Sequence, residues 1–358
     1  MDRHLPAVLR TVVTSAFVLF MLASAHLMMV VINAAEHHWA RPDPQQGMPA
    51  RLLTDRPLTE EISLALKKAR TPETQQVLLT ALATVQAGHA LEIKTLPNTP
   101  LLGWFAVGLT VLGLVLVWAT SRLQSDAAQS ILGIFGGNLI WTGGVEYGLS
   151  MAARTLGIGK AIGVIDGQVV AIYGEYVLLK YTWGAMALII GYLVFLEASR
   201  CPIFLWWRKA VPTMRGGVAT GRIDNYGPRS AFQYTTTVWF FYLLLLWAYD
   251  ENLFGVHGLF TRAVMLLSIA GSIYCVRRLH QQTGWGTSIR YAVGAMIVVW
   301  TPIEIIGKWG WFKEPWLLLT AESMVVFFGG LALGTWWLWR AQKKTTTAKP
   351  IASEPALA

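Results

Sequence analysis

The sequence predicts an all-α fold, a polytopic transmembrane helix bundle, on three observations. Apolar runs of about 20 residues, the length that crosses a bilayer as a helix, recur along the chain. Hydrophobic residues make up 54% and charged residues 14% of the 358 positions, and mean hydropathy is +0.46, more apolar surface than one aqueous core buries. The basic residues behind the net charge of +9 gather in short stretches between the runs, as topogenic charges do. Nucleic acid is therefore excluded as a partner, and membrane lipids are expected.

Eight runs are predicted to span as helices, at residues 10–34, 101–121, 128–152, 175–198, 231–249, 259–276, 290–307 and 316–339. Arg3 and Arg10, Arg122, the run from Arg200 to Arg229, Arg277, Arg278 and Arg290, and Arg340, Lys343 and Lys344 place one set of loops in the cytoplasm. Both termini are then cytoplasmic, and the expected location is a bacterial-type inner membrane. Residues 1–345 form a single transmembrane domain, with a periplasmic insertion at 34–100 and a disordered cytoplasmic tail at 346–358. The first run resembles a signal peptide, but about 24 apolar residues read as an uncleaved anchor.

The insertion is predicted to be a small helical cap. Thr71-Pro72-Glu73 supplies a cap residue, a first-turn proline and an early acid, and Gly88 stands where that helix should end. A partner helix is expected over 58–70. Beyond the third run, Asp166-Gly167 within 163–170 carries a hairpin signal.

An ionisable side chain inside a membrane is costly enough to suggest a function, and the third run has the densest group. Asn138, Thr142 and Glu146 recur at four-residue spacing, so a regular helix puts them on one face, while Gly133/Gly137 and Gly144/Gly148 admit a close neighbour. Glu304 stands two residues after Pro302, where a bent helix leaves backbone groups to line a buried or wet cavity. Glu322 lies near the start of the eighth run. His26 in the first run, with Asn33 and His37 on its face and Glu36 and His38 alongside, offers a metal ligand or proton relay.

Glu146, Glu175, Glu251, Glu304, Glu322 and His26 are all expected in the outer half of the bundle, with Lys180 as an internal counter-charge. Carboxylates brought together need a metal, a lysine or shared protons. Glu146 and Glu304 are the candidate catalytic pair. His26, Glu146 and Glu304 are the candidate metal ligands, and Asn138, Glu175, Lys180 and Glu322 the candidate cofactor contacts. The sequence leaves the cofactor open, with a transition-metal ion as the candidate.

Arginines and glycines across 200–229 fit an anionic headgroup, although topogenic bias explains the charges equally. Cys201 and Cys275 fall at cytoplasmic helix ends and are read as passive thiols. No metalloprotease, nucleophile-elbow, phosphate-loop or dinucleotide motif occurs, and no internal repeat is evident. Three classes fit: a metal-dependent membrane redox enzyme acting on a small or lipid-like substrate, a proton- or cation-coupled transporter, and a non-catalytic subunit that binds partner membrane subunits. The mixture of His and Glu leans towards the first.

Overall fold

The computed structural model describes residues 4–36, 42–54, 56–69, 71–195 and 225–346. It is mostly helical. The membrane-region helices are α1 (His4–Ala35), α4 (Pro100–Ala119), α5 (Asp126–Ile140), which runs through a π turn (Trp141–Glu146) into α6 (Tyr147–Leu156), then α7 (Gly174–Lys180), α8 (Trp183–Phe195), α9 (Tyr226–Ala248), α10 (Leu259–His280), α11 (Trp285–Lys308) and α12 (Ala321–Thr346). The helices α2 (Leu58–Lys68) and α3 (Pro72–Gln86) belong to the cap.

Helices stand at all eight predicted positions, and five are long and apolar enough to cross a membrane: α1, α4, α10, α11 and α12. The pair α7 and α8, bent by 47°, makes a sixth if taken as one span. α5 has 15 residues before the π turn interrupts it, and α9 carries Arg229, Gln233 and three consecutive threonines, which lower its hydropathy. These helices make the chain a membrane protein.

The packing repeats across the bundle. α4 packs on α5 as α10 packs on α11. α9 crosses onto α5 as α1 crosses onto α11, while α1 also meets α12 and α9 meets α7 and α8. Each half therefore runs leading helix, supporting helix, central helix, closing helix, and the leading helices are exchanged between halves.

Sequence order follows the same division. Ser15-Ala16-Phe17 in α1 answers Ser230-Ala231-Phe232 in α9, and Arg122-Leu123-Gln124 answers Arg278-Leu279-His280 before the central helices. Ser130-Ile131 and Ser288-Ile289 open those helices, Trp141-Thr142 and Trp300-Thr301 follow, and Glu146 and Glu304 each stand sixteen residues after their serine. These short matches follow the division that the packing shows. The offset between matching residues is not constant along the chain, so no single period joins them.

The halves meet through close backbone contacts. A Cβ on Gly133 would stand 2.3 Å from the Gly227 carbonyl oxygen, and one on Gly137 2.7 Å from that of Ala231, so this glycine pair sets the α5–α9 approach. Phe17, Met21, Ile131, Ile134, Ile289 and Met296 are fully buried or nearly so, and they fill the bundle on the side away from the cap.

The cap is not purely helical. α2 and α3 pack on a three-stranded sheet ordered β2–β5–β4, in which β2 (Lys94–Thr95) pairs parallel with β5 (Gln168–Ile172), and β4 (Ala161–Ile165) pairs antiparallel with it. A short parallel pair joins β1 (Arg51–Leu52) to β3 (Ile158–Gly159). Asp166 and Gly167 both have positive φ, 46° and 73°, so the expected hairpin turn is present. The α3 start also follows the sequence: Thr71 accepts from the Thr74 amide at 3.2 Å, with Pro72 next. Ile62, Leu78, Ala81, Ile93, Ile162 and Ala171 form the cap's own core. The sheet was missed because β1 and β2 have two residues each, and their partners lie more than 60 residues away in sequence.

Candidate functional site

Glu146 and Glu304 open onto the same small cavity, of about 40 Å³, between the two halves. Each half supplies a leading and a central helix: His26 from α1, Trp141 and Glu146 from the π turn, Tyr242 from α9, and Trp300 and Glu304 from α11. The volume holds about one water molecule.

The two carboxylates are presented alike. The Trp300 indole N–H donates to Glu304 Oε2 at 3.1 Å, one turn along α11. On the other central helix the Trp141 indole lies within interaction range of the Glu146 carboxylate. Here five residues separate the partners instead of four, and the extra residue is accommodated by the π turn, whose i→i+5 geometry stacks Trp141 beneath Glu146. Helical irregularity marks both positions, a π turn in one and Pro302 in the other.

His26 lies between Trp300 and Tyr242, its ring 5.8 Å from the former and 6.3 Å from the latter by centroid, stacked on Tyr242. Its Nδ1 is 2.9 Å from the Leu22 carbonyl oxygen, which only accepts, so the proton of the neutral ring sits on Nδ1. Glu304 lies within electrostatic range of the ring. Tyr242 extends the stack to Tyr176 at 6.1 Å, and Trp141 packs on Tyr242 at 5.9 Å.

His26, Tyr242, Leu245 and Glu304 also line a second, larger cavity of about 250 Å³ beneath the cap. This vestibule is ringed by charge: Arg56 and Glu61 from the cap, Lys160 from β3–β4, and Glu251, Lys308 and Glu314 from loops and helix ends. Thr54 donates to Glu61 at 2.6 Å, and Arg56 lies 3.9 Å from the same carboxylate. Glu314 packs against Gly307, where a Cβ would stand 2.8 Å from its Cγ. Burial beside α11 pushes the Glu314 carboxyl above the ordinary carboxylate value, with Lys308 and His26 opposing the shift.

Other expected residues are placed differently. Asn138 and Thr142 do not line the chamber with Glu146, because the π turn breaks the four-residue face. Asn138 Oδ1 accepts from the buried Tyr234 hydroxyl at 2.9 Å, tying α5 to α9. The Thr142 hydroxyl is buried with no hydrogen-bond partner among the described residues. The Lys180 ammonium pairs with Asp250. Glu322 is exposed in the first turn of α12 and lines neither cavity. Glu175 lines a third cavity of about 160 Å³ under the hairpin, with Asn33, Ser150 and Arg154. It enters α7 through Tyr173, held left-handed at φ 61°.

Glu36 is buried and takes both terminal nitrogens of Arg154, so it acts as a structural pair with α6. His37, His38 and Cys201, with the basic run up to residue 224, lie outside the described residues. Cys275 is a free, half-buried thiol.

Among the described residues, no group of three or more His, Cys, Asp or Glu comes together closely enough to hold a metal ion. His26, Glu146 and Glu304 share the walls of one cavity without converging as a ligand set, so the expected metal centre is not assembled. Compared with family models, curated proteins and solved structures, the chain matches nothing in any of the three.

Proposed function

We propose that this protein is a proton-coupled transporter of the inner membrane, with eight spans, both termini cytoplasmic and the cap on the periplasmic side. The observation that carries the reading is the position of Glu146 and Glu304, one from each repeated half, on a chamber at the interface between halves. Transporters built from repeats place their coupling sites at such interfaces, and opposed movement of the halves exposes the site to each side in turn.

The remaining features support the same reading. Two carboxylates, each beside an indole, are suited to gaining and losing protons in an otherwise apolar site. His26 stands where a proton passing between vestibule and chamber would be relayed. The chamber meets a polar vestibule on the cap side and an apolar plug on the other, as one end state of an alternating cycle requires. The redox-enzyme reading loses its support, since its metal ligands are not brought together.

Infrared difference spectra of reconstituted protein across a pH titration test this directly. Two carboxyl bands are expected, one lost in Glu146→Gln and the other in Glu304→Gln, together with loss of pH-driven flux in vesicles. A spectrum in which neither variant removes a band, over the range where the protein stays folded, sinks the reading.

A further inference from the structure

The chamber walls are one-sided in both charge and hydrogen bonding. Their ionisable groups are His26 from α1, Glu146 from the π turn, Tyr234 and Tyr242 from α9, and Glu304 from α11. Among the described residues no lysine or arginine lines the chamber; Lys308, one turn beyond Glu304, lines the vestibule instead. Glu146 is buried, 9% exposed, and pairs with no basic side chain among the described residues.

Other polar groups on the walls are already used. The Thr301 hydroxyl donates to the Ile297 carbonyl oxygen at 2.9 Å, and the Tyr234 hydroxyl to Asn138 Oδ1 at 2.9 Å. His26 Nδ1 is 2.9 Å from the Leu22 carbonyl oxygen, and the Trp300 indole takes one oxygen of Glu304. Carboxylate lone pairs are left over, and these only accept. Leu22, Val238, Phe241 and Ile297 make much of the remaining wall apolar, where a carboxylate without a counter-charge or a donor is costly. A fitting ligand therefore carries positive charge, donates hydrogen bonds and is about the size of a water molecule, since the volume is about 40 Å³.

We infer that the chamber binds an ammonium head, that of the ammonium ion or of a small primary amine, between Glu146 and Glu304. An alkali-metal ion needs a shell of oxygen ligands in place of its hydration water, and these walls offer few oxygens beyond the two carboxylates. A quaternary ammonium suits an aromatic surround but has no N–H to donate and exceeds the volume. The carbon chain of a primary amine has a way out: His26, Tyr242, Leu245 and Glu304 line both cavities and form a neck towards the vestibule.

The carboxylates that exchange protons in the proposed function then also hold the ligand. When one of them is protonated, binding leaves it as a carboxylate paired with the ammonium and releases its proton to the medium, so charge and atoms balance. This exchange rests on the proton-coupled reading above, whereas recognition of the ammonium head does not.

The test uses full-length protein in lipid nanodiscs at constant ionic strength. Thermal-shift measurements compare ammonium, methylammonium and butylammonium chlorides with potassium and tetramethylammonium chlorides, because a ligand held by the folded state raises Tm. At least one of the first three should raise it, and the last two should not. Tighter binding of butylammonium than of ammonium assigns a primary amine, and the reverse order assigns the free ion. Calorimetry in buffers of different ionisation heat gives Kd and the protons released. Glu146→Gln should weaken binding roughly tenfold or more, as loss of a charge-assisted contact implies, and Glu304→Gln carries the same expectation should the first variant not fold.

No shift with any of the three N–H cations overturns the inference, as does an equal shift with potassium or tetramethylammonium. An unchanged Kd in the folded glutamine variants places the ligand elsewhere and overturns it too. Binding of an ammonium head without proton release at any pH leaves the site standing and overturns the exchange.

Discussion

Trp300 and Glu304 are joined by an indole N–H to carboxylate hydrogen bond of 3.1 Å on one face of α11, and across the chamber Trp141 stands within interaction range of Glu146. An indole has one donor and no acceptor, so it fixes the carboxylate's direction without supplying a competing charge. Trp141→Phe and Trp300→Phe keep an aromatic ring while removing the indole N–H and part of the bulk. Hydrogen bonds to charged groups contribute about 1.5–3 kcal/mol, so each variant should slow proton-coupled flux by roughly tenfold or more with the fold intact. The double variant should fall short of the product of the two, because both donors serve one chamber. Vesicle flux measurements on the three variants decide it, and wild-type rates in both single variants would count against a role for the indoles.

The π turn makes a separate, structural prediction. A Cβ on Gly143 would stand 2.6 Å from the Ala106 carbonyl oxygen of α4, a backbone atom that cannot swing away. One on Gly144 would meet only the Thr110 side chain, at 3.3 Å. Gly143→Ala should therefore destabilise the protein by about 1–3 kcal/mol, the usual result of overpacking, and Gly144→Ala should be near neutral. Thermal unfolding of the two variants side by side tests the contrast, with equal midpoints as the contrary result.

Helix positions were legible because apolar length is a strong one-dimensional signal, and His26, Glu146 and Glu304 stood out because acids and histidines are rare within such runs. The four-residue face of Asn138, Thr142 and Glu146 failed for a physical reason: it assumes 3.6 residues per turn, and the π turn changes that count inside the motif. The same extra residue obscures the likeness of the two central segments, since Trp-Thr-Gly-Gly-Val-Glu and Trp-Thr-Pro-Ile-Glu differ in length. Aligning the two segments from their glutamates instead of their tryptophans was the available signal. The Lys180 partner, Asp250, was out of reach because which charges meet depends on helix rotation, and nothing in a single sequence sets it.

Glu36 and Arg154 should dominate the electrostatic stability of the cap-side bundle. The Glu36 side chain is 1% exposed and that of Arg154 14%, and two guanidinium nitrogens reach the two carboxylate oxygens. Breaking such a pair from one side leaves a buried charge uncompensated, which typically costs 3–5 kcal/mol, or about that here. Glu36→Gln and Arg154→Gln should each lower the unfolding midpoint markedly, and the double variant should recover part of the loss. A double variant as unstable as the sum of the singles would show that the pair does not act as a unit.

Glu314 brings a pH dependence that can be read on the folded protein. Burial raises its carboxyl above the ordinary value, so the native state holds this proton at pH values where the unfolded chain, near the usual glutamate value of about 4.3, has released it. The native state then binds more protons than the unfolded state, and stability falls as pH rises from the unfolded value through the raised one. Below that window both states are protonated, and the contribution is fully present. Glu314→Gln keeps the shape of the neutral acid and removes the titration, so its stability should exceed that of the parent increasingly as pH rises through the window, and match it at the acidic end. Chemical unfolding at a series of pH values measures the difference. A difference that is constant with pH, or that grows towards acid, would mean that Glu314 is held charged by Lys308 and His26 instead, since those two groups pull in that direction.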